Sequence, residues 1–161
     1  SAEALPFFKT AIAVNPNIGR FWTSYIDALV KENQLEEAEI SCRKAIELEP
    51  NLSKTHYNLG LVISKLGRLE EAGAIYKKAI ELEPDNSELY YSLALTLQNS
   101  GKLEESRTIY KKALNLDSSD KRIKIGYGKL LLKLNEKIKG LKILSEGQGV
   151  IVFEQSGVKI I

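Results

Sequence analysis

Residues 53–86 read SKTHYNLGLVISKLGRLEEAGAIYKKAIELEPDN, and this stretch decides the fold. Leu59, Ile63 and Leu66 recur at helical spacing until Gly67-Arg68 interrupts the run. A second helix is predicted beyond it, with Leu69, Ala72, Ile75, Tyr76, Ala79, Ile80 and Leu82 on one stripe. Pro84 stops that helix because proline cannot continue the hydrogen-bond ladder, and Asp85-Asn86 suit a turn. Ser53, and Ser87 after the turn, are placed to cap the next helices. The unit is therefore helix, turn, helix.

The same 34-residue unit recurs on both sides without a gap, as 19–52 and 87–120. Leu35-Glu36-Glu37-Ala38, Leu69-Glu70-Glu71-Ala72 and Leu103-Glu104-Glu105-Ser106 coincide in register. So do Lys44–Pro50, Lys78–Pro84 and Lys112–Asp117. Residues 1–18 fit the second half of a preceding unit, with Pro6 in the first turn of its helix, where a missing N–H costs little. Residues 121–147 fit a following, degenerate unit. The register begins in mid-unit and the chain contains no methionine, as expected of a piece of a longer protein.

These positions resemble the tetratricopeptide repeat, whose pattern is Trp, Leu, Gly, Tyr, Ala, Phe, Ala and Pro at unit positions 4, 7, 8, 11, 20, 24, 27 and 32. The second unit supplies His56, Leu59, Gly60, Ile63, Ala72, Tyr76, Ala79 and Pro84. The first supplies Trp22, Tyr25, Ile26, Leu29, Ala38, Cys42, Ala45 and Pro50. The third supplies Tyr90, Leu93, Ala94, Leu97, Ser106, Tyr110, Ala113 and Ser118. The resemblance implies an all-α fold, a right-handed superhelix (an α-solenoid) of helix-turn-helix repeats over residues 1–148. Small residues at positions 8 and 20 let paired helices approach, and no unit buries its apolar stripe alone, so neighbours must stack. Ile26 departs from the small residue, so the first pair is expected to splay. In the last unit Lys124 replaces the aromatic, and Gly140 and Gly147 each weaken a helix by roughly 1 kcal/mol relative to alanine. The array is expected to fray or end there.

Composition is that of a folded globular chain: 43% apolar and 27% charged residues in 161. No apolar run approaches the ~20 residues that span a bilayer, and no secretory leader is visible. A cytoplasmic, bacterial-type protein is expected, and the single cysteine, Cys42, fits a reducing compartment. Charge is uneven. Residues 1–120 carry 14 Lys/Arg against 18 Asp/Glu, a net of −4; residues 121–161 carry 9 against 3, a net of +6. The basic end suits an acidic partner, nucleic acid or an acidic membrane surface, or is a solvated face.

The resemblance also implies a concave groove lined by positions 2, 5, 6, 9, 12 and 13 of each first helix. The candidate peptide-binding residues are Arg20, Asp27 and Lys31, then Lys54, Tyr57, Asn58, Leu61 and Lys65, then Glu88, Tyr91 and Leu95, then Arg122 and Lys129. With Lys133, that face carries seven basic and two acidic side chains. Cations beside Tyr57, Leu61, Tyr91 and Leu95 suit an extended, acidic peptide. The alternative is that the tyrosines only cover neighbouring helices. Family members that clamp chaperone C-termini use a Lys/Asn/Arg set; here the matching positions hold Thr23, Asp27, Asn58, Glu88 and Ser92, so no such clamp is expected.

No metal or other cofactor is expected, because the lone His56 and Cys42 sit at packing positions. The glutamate pairs fall in first turns, where they complement the helix dipole rather than form a catalytic dyad. Nucleic-acid binding is disfavoured for want of a stacking platform. Residues 149–161 change character. Val150–Phe153 and Val158–Ile161 flank a turn and read as a β-hairpin that caps the array, pairs with a second copy in a homodimer, or opens a downstream domain. Two functions follow. One is a protein-interaction scaffold binding a peptide in the groove. The other is the recruiting arm of a larger enzyme, of glycosyltransferase or oxygenase type, with catalysis beyond Ile161 and none within this chain.

Overall fold

The computed structural model describes residues 4–16, 18–148, 151–154 and 157–160. The described helices are α1 (Ala4–Val14), α2 (Gly19–Lys31), α3 (Leu35–Leu48), α4 (Ser53–Lys65) and α5 (Leu69–Leu82), then α6 (Ser87–Asn99), α7 (Leu103–Leu116), α8 (Lys121–Lys133) and α9 (Lys137–Gln148). The first helices α2, α4, α6 and α8 are each 13 residues long and start 34 residues apart. After α9, β1 (Ile151–Glu154) and β2 (Gly157–Ile160) pair antiparallel, with Ile151 opposite Ile160 and Glu154 opposite Gly157. Of the expected hairpin, residues 149, 150, 155, 156 and 161 lie outside the described residues.

The chain divides into two compact units, Ser1–Pro84 and Asp85–Ile161. In the first unit, Ile26, Leu29, Ala38 and Cys42 of α2 and α3 are fully enclosed, as are Val62, Ile63, Ala72 and Ala79 of α4 and α5. In the second unit the enclosed set is Ala94, Tyr110, Ala113, Ile123 and Leu130, with Leu93 and Leu131 at 1% exposure. Of the stripes read in residues 53–86, Leu59, Ile63, Ala72, Tyr76 and Ala79 are buried, whereas Leu66, Leu69, Ile75, Ile80 and Leu82 are half-buried at the stripe's margins.

Each first helix ends in the same turn. Asn33, Gly67, Gly101 and Asn135, one per repeat, lie in the left-handed region at φ 56°, 80°, 81° and 63°. The N–H after each reaches back five residues: Gln34 to Leu29 O, Arg68 to Ile63 O, Lys102 to Leu97 O and Glu136 to Leu131 O. These bonds satisfy carbonyls that the helix end would orphan.

Three expectations change. Ser53 does not cap α4. Leu52 occupies the cap position without a side-chain bond, and the buried Ser53 Oγ donates instead to Ala79 O of α5 at 3.3 Å. Ser87 does not cap α6 either. Asn86 does, accepting from Glu88 N at 3.1 Å, because a side-chain oxygen one residue earlier stands over the first free N–H groups. The glycines of the last repeat do not fray it. Gly128 and Gly140 stand at positions 8 and 20, where α8 and α9 approach most closely. A Cβ on Gly128 would lie 3.0 Å from Gly140 O and 2.6 Å from Leu144 Cγ, and one on Gly140 would lie 3.0 Å from Gly128 O. The propensity cost is exchanged for close backbone packing, and α9 runs through both Gly140 and Gly147.

Candidate interaction surface

Position 4 shows how packing residues are held. Trp22 Nε1–H donates to Pro16 O at 2.7 Å, and His56 Nε2–H donates to Pro50 O at 2.8 Å, the same bond one repeat later. His56 thus replaces an indole N–H, and its buried ring serves structure. Cys42 is fully enclosed in the first unit, and burial pushes its thiol up to about 12, so it holds its proton at neutral pH. The glutamates in the first turns of α3, α5 and α7 are engaged in structure where partners reach them. Glu37 accepts from Tyr25 Oη at 2.6 Å and pairs with Lys9 at 2.7 Å, and the Lys9 bond lowers its carboxyl from the ordinary value. Arg43 and Arg68 each bridge Glu39 and Glu71, closing a four-membered ion ring between α3 and the start of α5.

The first-helix face of the first unit is built on α2 and α4. Lys54 Nζ stands 3.6 Å from Asp27 Oδ1 and 5.6 Å from the centre of the Tyr57 ring. Tyr57 is half-buried and tilts against Tyr76 of α5, ring centres 6.1 Å apart. Leu61 is half-buried, while Lys31 and Lys65 are exposed and make no ion pair with a described residue. Asn58 differs from expectation. It is 2% exposed, and its amide donates to Asp27 Oδ1 at 2.9 Å, so it ties α4 to α2 rather than presenting an amide to a ligand. The side chain of Arg20 lies outside the described residues.

In the second unit the corresponding face is built on α6 and α8. Arg122 Nη2 pairs with Glu88 Oε2 at 2.5 Å and with Asp120 Oδ2 at 2.7 Å, and these bonds raise the guanidinium's pKa. The same guanidinium lies 5.6 Å from the Tyr91 ring. Tyr91 tilts against Tyr110, ring centres 6.3 Å apart, and Tyr110 against Tyr127 at 5.9 Å. Leu95 is exposed at 37%, and Lys129 is exposed with no ion pair to a described residue. Sequence reasoning missed Asp120. It caps α8 by accepting from Arg122 N at 2.7 Å and also orients the Arg122 side chain. Its place one residue before a helix start was the available signal.

The structure therefore brings together Asp27, Lys54, Tyr57 and Asn58 in one unit and Glu88, Tyr91 and Arg122 in the other. Part of the cationic character expected of the face is taken up by neighbouring repeats. The rest, Lys31, Lys65 and Lys129, is available to solvent. Among the described residues no group of three or more His, Cys, Asp or Glu side chains could hold a metal ion. Nor is any described helix long and apolar enough to cross a membrane.

One family model described as tetratricopeptide repeat matches residues 27–52 and 53–86, and a second with that description matches 75–108. Together they span 27–108, half of the chain. The chain belongs to the tetratricopeptide repeat family. No match among curated proteins was found. Among solved structures, MamA (41 to end) from Desulfovibrio magneticus RS-1 is 20% identical, with 91% of this chain and 82% of that chain covered and a TM-score of 0.83. TTC0263, a thermophilic TPR protein of Thermus thermophilus, is 19% identical over 89% and 79%, with a TM-score of 0.77. PilF of Pseudomonas aeruginosa is 19% identical over 92% and 69%, with a TM-score of 0.81. At these identities the likeness is one of fold. The tetratricopeptide array itself continues beyond the matched residues, since α8 and α9 keep the 34-residue register.

Proposed function

We propose that this chain is a protein-interaction scaffold that captures an extended, acidic segment of polypeptide along the first helices of its repeats. Tetratricopeptide repeats are in general non-catalytic interaction modules, and this chain carries them. In this reading the ligand lies along the first helices within a unit. The observation that carries the reading is exposed lysine beside apolar surface on the first helices. Lys31, Lys65 and Lys129 stand exposed on first helices, with half-buried Tyr57 and Leu61 on one face and Tyr91 and exposed Leu95 on another. Apolar surface beside uncommitted cations suits a backbone carrying acidic side chains around a few apolar ones.

The test is peptide-library panning against the purified chain, followed by binding titrations of the enriched peptides. Acidic peptides with apolar anchors should dominate. Lys65→Glu with Lys129→Glu should weaken them by roughly tenfold, two exposed charge contacts being reversed. Both lysines are exposed and unpaired among the described residues, so the variant should keep its fold. Enrichment of basic peptides, or equal affinity for the double variant, would refute the reading.

A further inference from the structure

The second helices do not all begin alike. α3, α5 and α7 open with Leu-Glu-Glu, at Leu35-Glu36-Glu37, Leu69-Glu70-Glu71 and Leu103-Glu104-Glu105. α9 opens with Lys137-Ile138-Lys139. The acidic pair stabilises a helix start because it complements the positive end of the dipole, and two cations there oppose it. Ile138 stands where the other repeats place glutamate and is 87% exposed. It lies in an open, shallow depression bounded by Asn135, Glu136, Lys137 and Lys139. The repeat thus gives up local stability to place an aliphatic side chain and two cations in solvent.

More positive charge surrounds this corner. Lys133 ends α8, and Lys142 follows Ile138 by one turn on the same face of α9. Lys133, Lys137, Lys139 and Lys142 are all exposed. Lys139 reaches Glu136 at 3.1 Å, but Glu136 is already met by Arg107 at 2.7 Å. Lys133, Lys137 and Lys142 make no ion pair with a described residue. Glu104 faces Arg107 at 3.6 Å, and Glu146, farther along α9, faces Lys124 at 3.8 Å. Glu104, Glu136 and Glu146 are thus each met by a cation, while Glu105 makes no ion pair with a described residue; the patch of Lys133, Lys137, Lys139 and Lys142 stays net positive.

We propose that this corner of the α8–α9 pair docks on an anionic lipid surface, its lysines meeting headgroup phosphates while Ile138 enters the headgroup layer. The chemistry favours a bilayer over an acidic protein or a nucleic acid. Lysine is a point charge that needs no oriented partner, unlike an arginine fork. No aromatic ring stands among these residues to stack on a base. Ile138 is bordered by Asn135, Glu136, Lys137 and Lys139, so it lacks the surrounding apolar contacts that seal a protein hot spot from water. Lysines at an anionic surface each strengthen attachment by roughly fivefold, and the effect is screened by salt. The proposal rests on the opening of α9, which the peptide reading does not use; Lys133, on the first-helix face, is the one residue common to both.

The test is co-sedimentation of the full chain with phosphatidylcholine vesicles, with and without a minority of phosphatidylserine. The wild-type chain should sediment with the anionic vesicles, lose that binding as salt is raised, and ignore the neutral ones. Ile138→Glu with Lys139→Glu restores the residues found at these two positions in the other repeats, so α9 should form at least as well. The double variant should lose about a hundredfold in partitioning, three units of charge having been removed. Ile138→Ala, with charge unchanged, should bind more weakly than wild type at equal salt. Failure to sediment with anionic vesicles, unchanged sedimentation of the double variant, or capture by poly-glutamate or RNA without capture by vesicles overturns the proposal.

Discussion

Gly128→Ala and Gly140→Ala set helix propensity against close packing. In an exposed helix, alanine in place of glycine stabilises by about 1 kcal/mol. Here a Cβ on Gly128 would meet Leu144 Cγ at 2.6 Å and Gly140 O at 3.0 Å, and one on Gly140 would meet Leu132 Cδ2 at 2.9 Å and Gly128 O at 3.0 Å. Carbonyl oxygens move only if the helices part, and Leu144 is 4% exposed, so it has little room to yield. Overpacking of this kind costs about 1–3 kcal/mol, leaving each variant destabilised by up to about 2 kcal/mol. Each change forces the same pair of backbones apart, so the double variant should cost less than the sum of the singles. Repeat proteins open locally, so hydrogen exchange of the α8 and α9 amides is the sensitive assay, with urea titration by circular dichroism beside it. Slower exchange and a higher midpoint in either single variant would show that the helices are not in backbone contact.

Two further outcomes follow from the turns and the buried thiol. Gly67 lies at φ 80°, and a Cβ there would have nothing within 4 Å, so Gly67→Ala should cost about 1 kcal/mol through backbone strain alone. Gly67→Asn should cost less, because Asn33 and Asn135 occupy the same turn position in other repeats; a higher urea midpoint for the alanine variant would contradict this. Cys42 should react with disulfide reagents at neutral pH only as fast as the first unit opens. Its thiol is raised from 9.0 to about 12 by burial, so both states hold the proton below about pH 9 and stability is unaffected there. Above that pH the unfolded thiol ionises first, and stability should fall by about 1.4 kcal/mol per pH unit towards pH 12. Cys42→Ala should flatten that alkaline decline in urea titrations run at several pH values; an unchanged slope would count against the burial argument.

The helix starts at Gly19, Ser53, Ser87 and Lys121 were legible because the 34-residue period carries the apolar stripe and the turn residue together. The caps were legible only in part. Ser53 and Asn86 are both good capping residues, and one residue of register decides which oxygen stands over the free N–H groups. His56 was correctly read as a packing residue, but its bond to Pro50 O became intelligible only beside that of Trp22. The candidate face was legible as a set of positions. Its accessibility was not, since Asn58 looks like any surface amide until Asp27 lies 2.9 Å away.

Local patterning by itself determined the repeat, its helix-turn-helix unit, the apolar stripes and the family, because periodicity and turn chemistry act over a few residues. Tertiary structure decided which polar groups remain for a partner. Asn58 meets Asp27 across 31 residues and Arg122 meets Glu88 across 34, and only stacking of neighbouring repeats brings such pairs within reach. It also decided the meaning of Gly128 and Gly140, which are weak points in an isolated helix and close-approach points once α8 lies on α9. Propensity is a property of one segment, whereas burial and ion pairing belong to the space between segments.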